Sequence, residues 1–210
     1  MGFLFAPEPR LIDASVTLPG RPDPILAQPR PHAVLDTPIT GPWREGQKRI
    51  LIGIGCFWGA EKMYWQLDGV ESTSVGYGGG QTPNPTYREV CSGQTNHVEL
   101  VEVIYDPDVV TLKELVKVAL EAHDPTQGFR QGNDVGTQYR SAFYTDTEAE
   151  AEQVRGWITQ YGADLKDAGY GDITTEVKSV ENDGVQYFLA EDEHQQYLHK
   201  VPNGYCPHHS

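Results

Sequence analysis

Apolar and polar positions follow two different periods along the chain from residue 48 onward. Residues 49–54, 98–105 and 139–144 carry continuous or alternating apolar side chains, a pattern typical of buried and half-buried strands. Between these runs, apolar residues recur every three or four positions, which predicts amphipathic helices. The other predicted elements are helices at 57–67, 112–120, 148–165 and 191–199, a strand at 173–180 and a glycine-rich turn, GYGGG, at 76–80.

Local signals mark where some of these elements begin and end. Thr111 is followed three residues later by Glu114, the spacing of a capping box at a helix start. Gly69 lies just past the first predicted helix, a common place for glycine. Strands that alternate with helices imply an α/β or α+β arrangement with helices packed on a sheet. We expect a single α+β domain with a central mixed sheet, a two-layer αβ plait with a ferredoxin-like core.

The first 45 residues differ from the rest because nine prolines fall within residues 7–42. Proline removes backbone donors and disfavours helices and central strands, so residues 1–45 are expected to form an extended arm around the domain. A disordered leader fits the same composition nearly as well. Residues 46–200 are expected to form the domain itself, and residues 201–210 an irregular, mobile tail.

The charge of the chain limits its partners. Sixteen Lys and Arg stand against 30 Asp and Glu among 210 residues, a formal net charge of −14. Nucleic acids and anionic membranes favour basic patches, so neither is expected as a partner. No apolar run reaches the roughly 18 residues of a membrane span, and no basic segment precedes the short apolar cluster near the N-terminus. We expect a cytoplasmic protein that is a monomer.

Cys56 is the candidate nucleophile among three cysteines that form no CxxC pair. It stands where a predicted strand turns into a predicted helix. The unpaired N–H groups and the positive dipole end of a helix N-terminus stabilise a thiolate over the thiol. Phe57 and Trp58 beside it indicate a small apolar pocket. From position alone, an ordinary buried cysteine and ordinary aromatic packing explain these residues about as well.

Longer motifs resemble a known family. The segments GCFWGAEKMYWQLDGV, GYGGGQTPNPTYREVCSGQTNHVE, HDPTQGFRQGNDVGTQYRSAFY, ITTEV and EDEHQQYLHKVPNGYC follow one another in the chain. Together they resemble the A-class peptide methionine sulfoxide reductases, in the family's order, over nearly all of residues 48–206. The resemblance implies reduction of methionine S-sulfoxide to methionine by a catalytic domain at 46–200.

The resemblance also implies residue roles. Cys56 corresponds to the catalytic thiol and Glu99 to an acid that keeps its proton to higher pH in an aromatic pocket. Alternation along 98–105 fits a solvent-facing Glu99 equally well and does not favour Glu99 over Glu102. The resemblance further implies that Tyr87 and Tyr139 bind the sulfoxide oxygen through their hydroxyls and that Asp134 orders water and backbone near the site. It implies that Phe57 and Trp58 hold the substrate methyl group and that Tyr197 borders the same pocket.

The recycling step is implied in the same way. Cys206, in the GYC tail motif, corresponds to a resolving thiol that forms a disulfide with Cys56, which thioredoxin or a similar dithiol then reduces. The chain ends four residues after Cys206, which leaves a two-cysteine cycle. Cys91 has no implied catalytic part and is expected to be buried. No cofactor and no metal are expected.

Other interpretations stay open or are set aside. GYGGG lacks the Lys-Ser/Thr of a phosphate-binding loop, and His97-Val98-Glu99 lacks the P-C-x-x-C of zinc deaminases. The acidic segment EDEHQQ, at 191–196, is interpreted as a solvated helix start. The alternative function is a non-catalytic redox-sensing or metal-binding thiol protein that uses Cys206 and the terminal histidines.

Overall fold

The structure, a computed structural model, describes residues 8–205. Its strands are β1 (Lys48–Ile54), β2 (Val70–Gly78), β3 (Val98–Tyr105), β4 (Arg130–Gln131), β5 (Asp134–Val135), β6 (Ser141–Thr145), β7 (Glu176–Ser179) and β8 (Tyr187–Leu189). Its α-helices are α1 (Phe57–Tyr64), α2 (Tyr87–Cys91), α3 (Leu112–Ala122), α4 (Glu148–Asp167), α5 (Val180–Asp183) and α6 (Tyr197–Lys200). Single turns of 3-10 helix cover Ala14–Val16 and Thr137–Tyr139.

Six strands form one sheet in the order β7-β6-β1-β3-β2-β8, and β4 and β5 form a separate hairpin. Neighbouring strands of the large sheet are antiparallel except β6 and β7, which are parallel. The helices alternate with these strands along the chain. The prediction of one α+β domain built on a central mixed sheet is therefore confirmed.

The helices cover one face of this sheet. Ile50, Ile52 and Ile54 of β1 are buried in the main core together with apolar residues of α1, α3 and α4. Leu51 lies in a smaller cluster that also contains Leu100 of β3. Successive side chains of a strand point to opposite faces, so the continuous apolar run of β1 contributes to two clusters.

The segment before β1 lies extended against the domain. Arg21 binds the Glu89 carboxylate through two hydrogen bonds of 2.9 and 2.8 Å. Farther along, the Ser72 hydroxyl donates to the Pro38 carbonyl at 2.7 Å, and Ile39 is only 3 % exposed. Contacts of this kind, and not pairing with a strand of the sheet, therefore hold the described part of the arm against the domain.

The structure corrects the turn expected at 76–80. Gly76 and Gly78 belong to β2 and pair with β8. A Cβ atom on Gly76 would lie 2.3 Å from the carbonyl oxygen of Phe188. These glycines allow close approach of a neighbouring strand, which a glycine-rich pattern does not distinguish from chain reversal.

Two predicted helices are shorter than expected. The helix expected at 57–67 ends at Tyr64, and the chain turns at Gly69, where φ is +89°. The helix expected at 191–199 is reduced to α6, because Gln196 has a left-handed backbone that interrupts helical hydrogen bonding. Within residues 8–205, no helix has both the length and the apolar character needed to cross a membrane.

Candidate active site

Cys56 is placed by the turn from β1 into α1. Gly55 makes that turn with φ +96°, and a Cβ atom there would lie 2.8 Å from the Cβ atom of Gln131. Cys56 follows as the N-cap residue of α1 and is 5 % exposed. The first N–H groups of α1 lack partners within the helix, so the sulfur stands at the positive end of the helix dipole.

Glu99 of β3 lies against this helix start. The Phe57 backbone N–H donates to Glu99 Oε2 at 3.1 Å, while Oε1 has no hydrogen-bond partner among the described residues. Burial raises the pKa of Glu99 to about 8, and the Asp134 charge adds to this rise. Glu99 thus holds its proton at pH 7, and Oε1 is the oxygen left open toward the site.

Glu102 is not part of this site. It lies three positions after Glu99 and therefore on the opposite face of the sheet. There it pairs with Arg49 at 3.3 Å and accepts from the Ser74 hydroxyl at 3.1 Å. The tertiary structure thus separates the two carboxyls that the strand pattern leaves equivalent.

Aromatic rings cluster at the same end of α1. Trp58 stacks on Tyr197 with centroids 4.1 Å apart, and the Tyr87 ring lies 4.5 Å from that of His194. Phe57 is 1 % exposed and lies 6.5 Å from Tyr87. Trp58, Tyr87 and Tyr197 are only half-buried, so the cluster opens to solvent. The structure therefore brings the expected pocket residues together.

Tyr139 and Asp134 come from the segment between β4 and β6. Tyr139 ends the 3-10 turn, and burial raises its pKa, so that its hydroxyl stays protonated. Asp134 of β5 accepts from the Tyr205 hydroxyl at 3.0 Å through Oδ1, while its buried Oδ2 has no partner among the described groups. Both residues therefore lie near Glu99.

Of the other two cysteines, the structure describes only Cys91. Cys206 lies outside the described residues, as do His208 and His209. Cys91 is exposed and not buried, because it ends the short helix α2. Between residues 8 and 205 no group of three or more His, Cys, Asp or Glu side chains is arranged to hold a metal ion.

Sequence analysis missed two residues that support the cluster. The indole N–H of Trp58 donates to His194 Nδ1 at 3.3 Å, and His194 is only 8 % exposed. Glu191 accepts from the Tyr87 backbone N–H at 2.8 Å and from the Tyr77 hydroxyl at 2.9 Å. The expected solvated helix start at 191–196 is therefore wrong. The run of acidic residues followed by glutamines there indicated polarity, but no local signal showed that the partners of Glu191 and His194 lie more than 100 residues away.

A cysteine at a helix start, a protonated carboxyl beside it and an apolar cup of rings define a thiol-dependent enzyme. The sequence model of the peptide methionine sulfoxide reductase family matches residues 48–210. The chain belongs to this family, and this membership does not favour the non-catalytic alternative.

Individual relatives agree with this assignment. A peptide methionine sulfoxide reductase MsrA of Corynebacterium efficiens is 65 % identical over 210 residues, covering 100 % of this chain and 96 % of that protein. The structure of methionine sulfoxide reductase A of Corynebacterium diphtheriae superposes with a TM-score of 0.90 at 56 % identity, covering 96 % of each chain. Reduced Mxr1 from Saccharomyces cerevisiae gives a TM-score of 0.70 at 34 % identity, covering 79 % of this chain and 92 % of that one. The proline-rich arm precedes the family match but is included in the match to the Corynebacterium efficiens relative.

Proposed function

We propose that this chain reduces the S-epimer of methionine sulfoxide, free or in proteins, to methionine and thereby repairs oxidised proteins. The observation that carries the proposal is the placement of Cys56 at the start of α1 beside Glu99, whose Oε1 has no partner among the described residues. The match of residues 48–210 to the peptide methionine sulfoxide reductase family supports the same reaction.

The Cys56 thiolate attacks the sulfoxide sulfur, and Glu99 gives its proton to the sulfoxide oxygen, which would otherwise leave poorly. The hydroxyls of Tyr87 and Tyr139 donate hydrogen bonds to that oxygen. Burial raises the pKa of both tyrosines, so that they remain donors. The S–S bond formed by this attack then breaks as the hydroxyl moves from the substrate sulfur to the Cys56 sulfur, which yields methionine and a sulfenic acid on Cys56. The substrate sulfur thereby gains the two electrons that Cys56 loses.

The aromatic cluster selects the methyl group of the substrate. Phe57 and Trp58 offer ring faces beside Cys56, and Tyr197 stacks on Trp58. An apolar wall of this kind stabilises a methyl group and excludes water, whereas the sulfoxide oxygen needs the tyrosine hydroxyls. Because the two binding regions differ in polarity, they favour one configuration at the sulfur.

Cys206 is the proposed resolving residue. Tyr205, which immediately precedes it, donates to Asp134 at 3.0 Å, so the described end of the chain reaches the site. Attack of the Cys206 thiol on the Cys56 sulfenic acid releases water and forms a disulfide. A thioredoxin or a similar dithiol then reduces that disulfide by exchange, as the reducing cytoplasm permits.

Exchange of Cys206 for serine should stop the cycle after one turnover. Without any added reductant, Cys206→Ser should release about one methionine per enzyme and leave a sulfenic acid on Cys56, because no second thiol removes the oxygen. Quenched-flow product counting and mass spectrometry of the modified cysteine measure this result. A stable Cys56–Cys91 disulfide in the variant would assign the resolving role to Cys91.

The enantiomer preference tests the proposed function directly. Purified protein with dithiothreitol should reduce the S-epimer of methionine sulfoxide at least about 100-fold faster than the R-epimer, since a separate enzyme serves each sulfoxide epimer. Chiral chromatography of the remaining sulfoxide measures both rates. Absence of turnover of either epimer would refute the proposal.

We also infer two finer features of the architecture. The strands β6-β1-β3-β2 are adjacent and antiparallel, and α1 and α3 connect them in the order expected for a ferredoxin-like plait. The division into an arm at 1–45, a catalytic domain at 46–200 and a tail at 201–210 is supported by the start of β1 at Lys48 and the end of α6 at Lys200.

A further inference from the structure

A buried carboxylate joins α1 to the turn before α6. Glu61, one helical turn beyond Trp58, is 0 % exposed. Its Oε2 accepts from the backbone N–H of Gln196 at 2.8 Å, and its Oε1 accepts from the side-chain amide of the same residue at 2.8 Å. Two bonds from one residue fix both the position and the orientation of Gln196, which immediately precedes Tyr197.

A third donor connects this carboxylate to the N-terminal arm. The Thr73 hydroxyl of β2 donates to Glu61 Oε1 at 3.1 Å and lies 2.8 Å from His32 Nε2. His32 Nδ1 accepts from the backbone N–H groups of Val34 and Leu35, each at 3.1 Å. The neutral ring therefore carries its hydrogen on Nε2 and donates it to Thr73. Hydrogen bonds thus run in one direction from the arm to the carboxylate.

These bonds bear on the aromatic cluster through Gln196. Its backbone adopts φ 47° and ψ 42°, a left-handed conformation that is unfavourable for a residue with a side chain unless its surroundings hold it. The bonds from Glu61 supply that hold, and Gln196 Oε1 also accepts from the Ala33 N–H of the arm at 3.2 Å. The backbone set at Gln196 decides where Tyr197 stands relative to Trp58.

We propose that Glu61, Thr73 and His32 are positioning residues that hold Tyr197 against Trp58 and so maintain the substrate-methyl side of the site. The proposal rests on the proposed sulfoxide reductase function. All three residues are buried, and their hydrogen bonds lead to the cluster through Gln196 and Tyr197. The arm thereby becomes part of the substrate pocket without contacting the substrate.

A pair of variants at Thr73 tests this proposal. Thr73→Val removes the hydroxyl and interrupts the chain, whereas Thr73→Ser keeps it. Single-turnover rates against sulfoxide concentration should show a half-saturating concentration raised about 5-fold in Thr73→Val, with the saturating rate within about twofold of wild type, because binding and not chemistry is disturbed. Thr73→Ser should stay within about twofold in both. An unchanged half-saturating concentration in Thr73→Val, or a loss confined to the saturating rate, would overturn the proposal.

Two further measurements keep the test decisive. His32→Leu is a substitution in the arm and tests the same link independently of Thr73→Val. It should raise the half-saturating sulfoxide concentration about threefold. No rise would overturn the role of the arm. Glu61→Gln should accelerate exchange of the Gln196 amide hydrogen, which needs no substrate. Unchanged exchange in Glu61→Gln would refute the link from Glu61 to Gln196. If exchange is faster but the wild type does not reduce sulfoxide, the proposed function is refuted and the link from Glu61 to Gln196 stands.

Discussion

Cys56→Ser should lower the rate of sulfoxide reduction by at least about 1000-fold, since a serine hydroxyl at a helix N-terminus does not ionise and is a far weaker nucleophile than a thiolate. The substitution is nearly isosteric, and Cys56 is an N-cap residue, a position where serine is favourable. Folding stability should therefore be kept or slightly increased. Methionine release with dithiothreitol, together with thermal unfolding of both proteins, measures the two effects.

Cys91→Ser is the matched control for this experiment. Cys91 ends α2 and is exposed, so a serine fits there without disturbing the core. Its turnover should stay within about twofold of wild type, because the substitution removes no group of the proposed chemistry. Retention of more than a tenth of the rate in Cys56→Ser, or loss of activity in Cys91→Ser alone, would move the nucleophile away from the helix start.

Glu99→Gln should slow formation of the sulfenic acid by about 100- to 10,000-fold at pH 7, the range expected when a positioned general acid is lost. A glutamine amide fits the same space and can still accept from the Phe57 N–H, so the fold should persist. It has no acidic proton, so the sulfoxide oxygen would leave unprotonated. Rapid-quench measurement of methionine formed in the first turnover reports this step separately from recycling.

The pH profile and a second glutamate sharpen this prediction. Burial raises the pKa of Glu99 to about 8, so the wild-type first-turnover rate should hold below that pH and fall as the acid loses its proton above it. Glu99→Gln should lack that fall. Glu102→Gln, on the same strand but facing Arg49, should keep both the rate and the fall. A wild-type rate that does not decline between about pH 7 and 9.5 would remove Glu99 from the acid role.

Local signals predicted the elements whose residues interact with near neighbours. The strand expected at 98–105 is β3 with the same bounds. The capping box expected at Thr111 and Glu114 is present, with Glu114 accepting from the Thr111 N–H at 2.8 Å. These features depend on side chains three residues apart or on an alternating pattern, and the sequence displays both directly.

Features that depend on distant neighbours were not predictable in the same way. Gly76 belongs to a strand because β3 and β8 pair with it on either side, and nothing within the GYGGG motif shows this. Glu191 and His194 support the aromatic cluster through Tyr87 and Trp58, which lie more than 100 residues earlier. Contacts across such separations depend on how the elements pack, so local sequence patterns do not predict them.

By itself, the sequence determined the strand–helix junction at Cys56, the class of fold and, through long motifs, the family. The strand pattern left open which carboxyl on β3 accompanies that thiol; the family motifs implied Glu99, and the tertiary structure supplies the physical reason. Glu99 and Glu102 are chemically identical and lie on one strand, but Glu99 is enclosed beside the Phe57 backbone N–H, while Glu102 lies on the opposite face and pairs with Arg49. The protonation state of a carboxyl follows from its surroundings, and those exist only once the sheet and helix are assembled.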